Sequence, residues 1–218
     1  MTPNQFGDIA AAFHAEGIQV YAWGYCYGFK PELEASRAIE ALKQGADGYV
    51  LNAETQFKAP GMDRVATTLC AAIRSYLDAQ PPPRKLFAFS SFGWVGYHRE
   101  FLFEVFGAYC DAAMPQVYWS IAGVAPRTAL STAYANWCAL EADWRSGGKS
   151  GCVKPIISVG SAHGGRIRQH EAVAETSPEE MVTFAAAAEG YGGVSWWVWD
   201  VMDDAHWRVV RKVAANRK

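Results

Sequence analysis

The chain is expected to fold as an α/β protein, a (β/α) TIM-type barrel left incomplete at about six parallel strands. Three observations predict it. Hydrophobic runs of strand length alternate with helical patterns along 218 residues, which is the signature of a sheet covered by helices. Several of these runs are too apolar to keep one face in water, so the sheet should be parallel. Polar and aromatic residues gather at the C-terminal ends of nearly every run: Trp23 and Tyr25, Asn52 and Glu54, Ser90 and Ser91, Gln116 and Tyr118, Ser161 and His163, Trp197 and Trp199. Barrel enzymes assemble their sites there.

The elements follow in order. Gln5 to Glu16 reads as a helix, with Phe6, Ile9, Ala10 and Phe13 on one face and Gly17 at its end. Ile18 to Trp23 reads as a strand. Pro31 to Lys43 is a helix with proline at its start, acidic residues early and Gly45 just past its end. Gly48 to Asn52 is the next strand. Asp63 to Ala79 carries Val65, Leu69, Ile73 and Leu77 at helical spacing, and three prolines stop it. Leu86 to Ser90 is a strand and His98 to Tyr109 a helix. Ala112 to Tyr118 is a strand with an internal proline, awkward for a central position. Thr128 to Arg145 is helical. Pro155 to Val159 is a strand, and Ser177-Pro178-Glu179-Glu180 opens a helix as a capping box. Gly193 to Trp199 is the last strand and Ala205 to Ala215 the last helix, with Asp200, Asp203 and Asp204 near its start, where negative charge is favoured.

No Gly-x-Gly-x-x-Gly turn follows any strand, so a nucleotide-binding open sheet has no support. A full barrel has eight strands. The expectation is one domain over residues 1–218 that lacks the first two, with an edge covered by self-association or by a partner chain.

Bulk properties exclude several functions. Net charge is −2, so no basic field recruits nucleic acid or an anionic membrane. No run is long enough to span a bilayer, and the first residues show no secretory leader. Five widely spaced cysteines, an odd number, suit buried free thiols and cytoplasmic synthesis. The histidines and cysteines show no ligand spacing, so neither a metal nor a cofactor is expected. Aromatic residues make up 14 %, with nine Trp. Rings at strand ends serve as sugar-stacking platforms or fill a wide core.

One strand carries the candidate chemistry. Side chains alternate along a strand, so Val50, Asn52 and Glu54 share a face, with the Asn52 amide beside the Glu54 carboxyl at its C-terminal end. Glycosidic cleavage needs a proton donor at the leaving oxygen and support for an oxocarbenium-like centre. A carboxylic acid in an aromatic-walled pocket suits the first task. With a 2-acetamido sugar, the substrate's own carbonyl supplies the nucleophile, and a neighbouring amide or acid orients it. His163 binds sugar hydroxyls or is merely solvated. Arg166 and Arg168 bind an acidic group or form a solvated loop face.

The segment Asp47 to Glu54 resembles the Asp-Gly-x-x-x-Asp-x-Glu strand of family 18 chitinases, with Val50 and Asn52 where that family has acidic residues. It is closer to the Asp-Gly-aromatic-x-x-Asn-x-Glu strand of family 85 endo-β-N-acetylglucosaminidases. Gln116-Val117-Tyr118, preceded by Asp111, is similar to the Gln-x-Tyr of plant-type chitinases, and Tyr191 to Trp197 resembles their last strand. Pro115 to Trp119 also resembles the Pro-Gln-x-Tyr-Trp strand of glycosidase-like barrels. The resemblance spans essentially the whole chain. It implies Glu54 as acid/base, assisted by Asn52, and Tyr118 and Gln116 on the acetamido group. It implies Trp197 beneath the sugar. With Trp23, Tyr25, Trp119 and Trp199 as further substrate contacts, the expected activity is retaining, substrate-assisted hydrolysis of a chitin-like or peptidoglycan-like polymer. The alternative is a non-catalytic glycan-binding or structural barrel in a larger assembly such as a phage particle.

Overall fold

The structure, a computed structural model, describes residues 5–162 and 175–215. His163, Arg166 and Arg168 lie outside the described residues. The chain is an α/β protein of the TIM-barrel type, with six parallel strands among the described residues where a full barrel has eight. The strands follow chain order: β1 (Tyr21–Cys26), β2 (Gly48–Ala53), β3 (Leu86–Phe92), β4 (Ala112–Val117), β5 (Ile157–Ser161) and β6 (Gly193–Trp197). The helices among the described residues are α1 (Gln5–Ala15), α2 (Pro31–Lys43), α3 (Met62–Asp78), α4 (Phe103–Tyr109), α5 (Trp119–Ala122), α6 (Pro126–Ser146), α7 (Pro178–Ala187) and α8 (Asp204–Ala215). They group into two compact units. The first holds the chain up to Ser91, His98–Ala113 and Trp144–Lys154. The second holds Phe92–Tyr97, Met114–Asp143 and the chain from Pro155 onward.

In the first unit, every residue of β2 is buried. It pairs Gly48 with Tyr21 of β1 on one side and with Leu86 of β3 on the other. Helices α2 and α3 bury Ala35, Ala38 and Leu42, and Ala66, Leu69, Cys70, Ile73 and Leu77. These are the apolar stripes that helical spacing marks. Phe106 of α4 is fully buried among three rings: Phe57 edge-on at 5.2 Å, Phe101 at 5.3 Å and Phe89 at 5.5 Å. Phe101 explains why α4 begins at Phe103 and not at His98. Its ring stacks into this cluster, and the turn from His98 to Leu102 that lets it do so is incompatible with a continuous helix. Strand β1 starts three residues later than hydrophobicity suggests. Val20 still meets Asp47, through its N–H to the Asp47 carboxylate at 2.7 Å and its carbonyl from the Asp47 N–H at 2.8 Å, and regular pairing begins one residue on. Cys26, Cys70 and Cys110 are free thiols within this core. Burial pushes the Cys110 thiol up, and a hydrogen bond with Cys70 adds to it.

The second unit packs β5, β6 and α7 around Phe184, which stacks on Trp119 at 4.9 Å and tilts against Trp196 at 5.7 Å. Gly160 of β5 is required there: a Cβ would meet Phe184 at 2.8 Å and Trp196 at 2.9 Å. The expected capping box forms, with Ser177 accepting from the Glu180 N–H and Glu180 accepting from the Ser177 N–H. Pro115 lies inside β4, one residue before the β4–β5 register of Gln116 to Val159 and Val117 to Gly160. His206 of α8, 3 % exposed, bonds Asp203 through Nδ1 and the Thr176 carbonyl through Nε2, each at 2.7 Å.

Candidate active site

The first unit brings Asn52 and Glu54 together as expected of alternating strand positions. Asn52, 5 % exposed, donates from Nδ2 to Glu54 Oε1 at 2.9 Å. The amide nitrogen is the donor and the carboxyl oxygen the acceptor. Glu54 is half-buried just beyond β2, and its carbonyl accepts the Phe57 N–H in the 3-10 turn Thr55–Lys58. That turn is anchored by Phe57 in the Phe106 cluster.

Register places Tyr25 of β1 beside Asn52, and Trp23 beside Val50. Paired residues of parallel strands share a face, so the two aromatic side chains lie on the side that carries Asn52. The Tyr25 hydroxyl donates to Gln56 Oε1 at 2.9 Å. Burial raises the Tyr25 phenol above its ordinary value; the Gln56 bond opposes this, and the negative charge of Glu54 adds to it. Trp23 is 49 % exposed.

Sequence reasoning missed a second polar pair near this turn. Lys58 donates from Nζ to His98 Nδ1 at 2.7 Å. Burial and the Lys58 charge hold His98 below its usual value, which keeps its nitrogen an acceptor. Forty residues separate the two, and no spacing rule connects them.

Asp47, at the other end of β2, is structural. It accepts from Val20 and from His14 Nε2 at 2.8 Å. Burial opposes its ionisation, but the Val20 and His14 bonds outweigh that and hold its carboxyl below the usual range. A carboxyl lowered by folding stabilises above its unfolded pKa, about 3.9, and that stability is lost as pH falls through the lower folded value. Asp47→Asn is therefore expected to flatten the fall in urea midpoint below about pH 4. An acid limb identical to that of the wild type rejects this. A cavity of about 480 Å³ lies at this same end of the strands, lined by Gln19, Asp47, Tyr76, Arg84 and Lys85, away from Glu54. Asp111 is structural in the same way, accepting from Arg74 and from the Phe87 N–H.

In the second unit, Gln116 and Tyr118 are half-buried at the end of β4. A Cβ on Gly93 would strike the Gln116 carbonyl, so glycine permits that approach. Trp119, expected to contact substrate, instead packs in the core at 1 % exposure against Phe184. Trp197 is half-buried at the end of β6, its carbonyl accepts the Ala162 N–H at 2.6 Å, and its peptide bond to Val198 is cis. Trp199 opens the 3-10 turn Trp199–Val201.

No protein-family model and no curated protein matches the chain. Solved structures do. One is the multi-modular, cell-surface-expressed chitinase ChiW of Paenibacillus sp. str. FPU-7, with TM-score 0.61 and 12 % identity over 96 % of this chain. This chain spans 26 % of that protein. Another is the endo-β-N-acetylglucosaminidase of Cordyceps militaris, with TM-score 0.56 and 15 % identity over 99 % of this chain and 76 % of that one. At these identities the likeness is one of fold, the TIM-type barrel that both enzymes share with this chain.

Proposed function

We propose that the chain is a glycoside hydrolase acting on an N-acetylhexosamine polymer, chitin-like or peptidoglycan-like, by a retaining, substrate-assisted route. The observation that carries this is the Asn52 amide donating to Glu54 at 2.9 Å at the C-terminal end of a buried strand, on the side that Tyr25 shares. The fold shared with a chitinase and an endo-β-N-acetylglucosaminidase supports it.

In this reading Glu54, as the acid, gives its proton to the glycosidic oxygen as the C1–O bond breaks. The acetamido carbonyl oxygen of the substrate closes on C1. Glu54, now a carboxylate, takes a proton from water as that water attacks C1 and the acetamido group reopens, so configuration is retained. Asn52, beside Glu54, orients the acetamido group. The acetamido-holding role of Gln116 and Tyr118 and the stacking role of Trp197 are proposed on the resemblance of their strands. The test is hydrolysis of chitooligosaccharides and peptidoglycan by wild type and Glu54→Gln, with binding measured in parallel.

A second reading is a non-catalytic glycan-binding or structural barrel in a larger assembly. It draws on edge strand β1, where Tyr21 and Trp23 are 43 % and 49 % exposed. Folded protein that hydrolyses neither substrate and associates through β1 favours it.

A further inference from the structure

The turn after β1 exposes rings that a simple globular surface does not need. Phe29 is 83 % exposed and Tyr27 50 %. Large apolar side chains exposed together mark binding surfaces. The backbone that carries these rings is held in place. The Glu34 carboxylate, in the first turn of α2, accepts the N–H groups of Tyr27 and Gly28, each at 3.2 Å. Gly28 has a φ of 72°, and a Cβ there would meet Met62 at 2.5 Å and Val65 at 3.1 Å, so the turn is pressed onto α3.

The rings form a row. Tyr27 lies 4.8 Å from the Tyr25 ring and 5.9 Å from the Phe29 ring, the latter pair within 17° of parallel. Tyr25 is registered beside Asn52, and its hydroxyl is fastened to Gln56, two residues past Glu54. The row therefore runs from the Asn52–Glu54 pair out to solvent.

We propose that Tyr25, Tyr27 and Phe29 form an aromatic ladder that carries successive sugars of an extended N-acetylhexosamine chain away from Glu54. The proposal rests on the Glu54 reading above and extends it from a single cleavage point to a polymer track. Pyranose C–H faces stack on aromatic faces, while hydroxyls and acetamido groups need polar partners alongside. The inner end of the row supplies these in Asn52, Glu54 and Gln56. A line of single rings, held by its own helix and continuous with a carboxylic acid, suits a chain-like ligand better than a compact one. A turn whose backbone is fixed in advance also lowers the ordering cost of binding.

The test is calorimetric binding of N-acetylglucosamine hexasaccharide and disaccharide to wild type, Phe29→Ala, Tyr27→Ala and Phe29→Trp. Hexasaccharide affinity is expected to fall about tenfold in each alanine variant. Disaccharide affinity is expected to stay the same, and Phe29→Trp to retain tight hexasaccharide binding. Equal loss on both saccharides, unchanged hexasaccharide affinity, or a wild type that does not bind hexasaccharide overturns the ladder. So does self-association in sedimentation that Phe29→Ala abolishes while hexasaccharide affinity is untouched. Hydrolysis that survives Glu54→Gln overturns the catalytic reading instead and leaves the binding result standing.

Discussion

Glu54→Gln is expected to lower turnover of a chitooligosaccharide by about 10²–10⁴-fold, the usual worth of a positioned general acid or base. Gln matches Glu in size and keeps a carbonyl oxygen to accept from Asn52 Nδ2, so the bond that now holds Glu54 at 2.9 Å has a replacement. It has no proton to give the leaving oxygen and cannot take one from water, so both halves of the reaction suffer. Affinity for saccharide should remain, because the rings of Tyr25 and Trp23 are unchanged. The measurement is initial rate together with calorimetric affinity. A rate within a few-fold of wild type removes Glu54 from the chemistry.

Phe106→Ala is expected to give the largest loss of stability, about 3–5 kcal/mol. Phe106 is fully buried and touches Phe57, Phe89 and Phe101, so truncation leaves a void walled by three rigid rings that collapse poorly. For a chain of this size the melting temperature should drop by roughly 10 °C. Phe29→Ala is the natural comparison: that ring is 83 % exposed, and its removal should leave melting nearly unchanged. A Phe106→Ala protein that melts with the wild type contradicts the core described here. Phe57 also belongs to the turn that starts at Glu54. Phe106→Ala should therefore reduce activity below its own melting transition as well.

Local chemistry decided which parts of this molecule were readable beforehand. Helix α2 runs from Pro31 to Lys43 as expected, because proline, early acids and the following glycine mark both ends. The capping box at Ser177 is equally local. Strand β1 and helix α4 were misplaced because their limits depend on distant partners. Asp47 sets where β1 begins to pair, and the Phe101 ring pulls the start of α4 apart. The Asn52–Glu54 bond was legible because strand alternation alone brings positions two apart onto one face. The Lys58–His98 bond was not, since only the folded chain joins residues forty apart. Trp119 shows the limit of reading rings at strand ends. A sugar platform and a core filler look identical in sequence, and only burial separates them.

The thiols of the first unit lend the protein an internal clock. Cys26, Cys70 and Cys110 are each no more than 2 % exposed and Cys152 is 9 % exposed, whereas Cys138, in the second unit, faces solvent. A small alkylating reagent should therefore modify native protein quickly at Cys138. It should reach Cys26, Cys70 and Cys110 only during moments when that core comes apart. The rate of their modification, followed by mass, reports how often the core of the first unit opens, with no denaturant added and no reporter group attached.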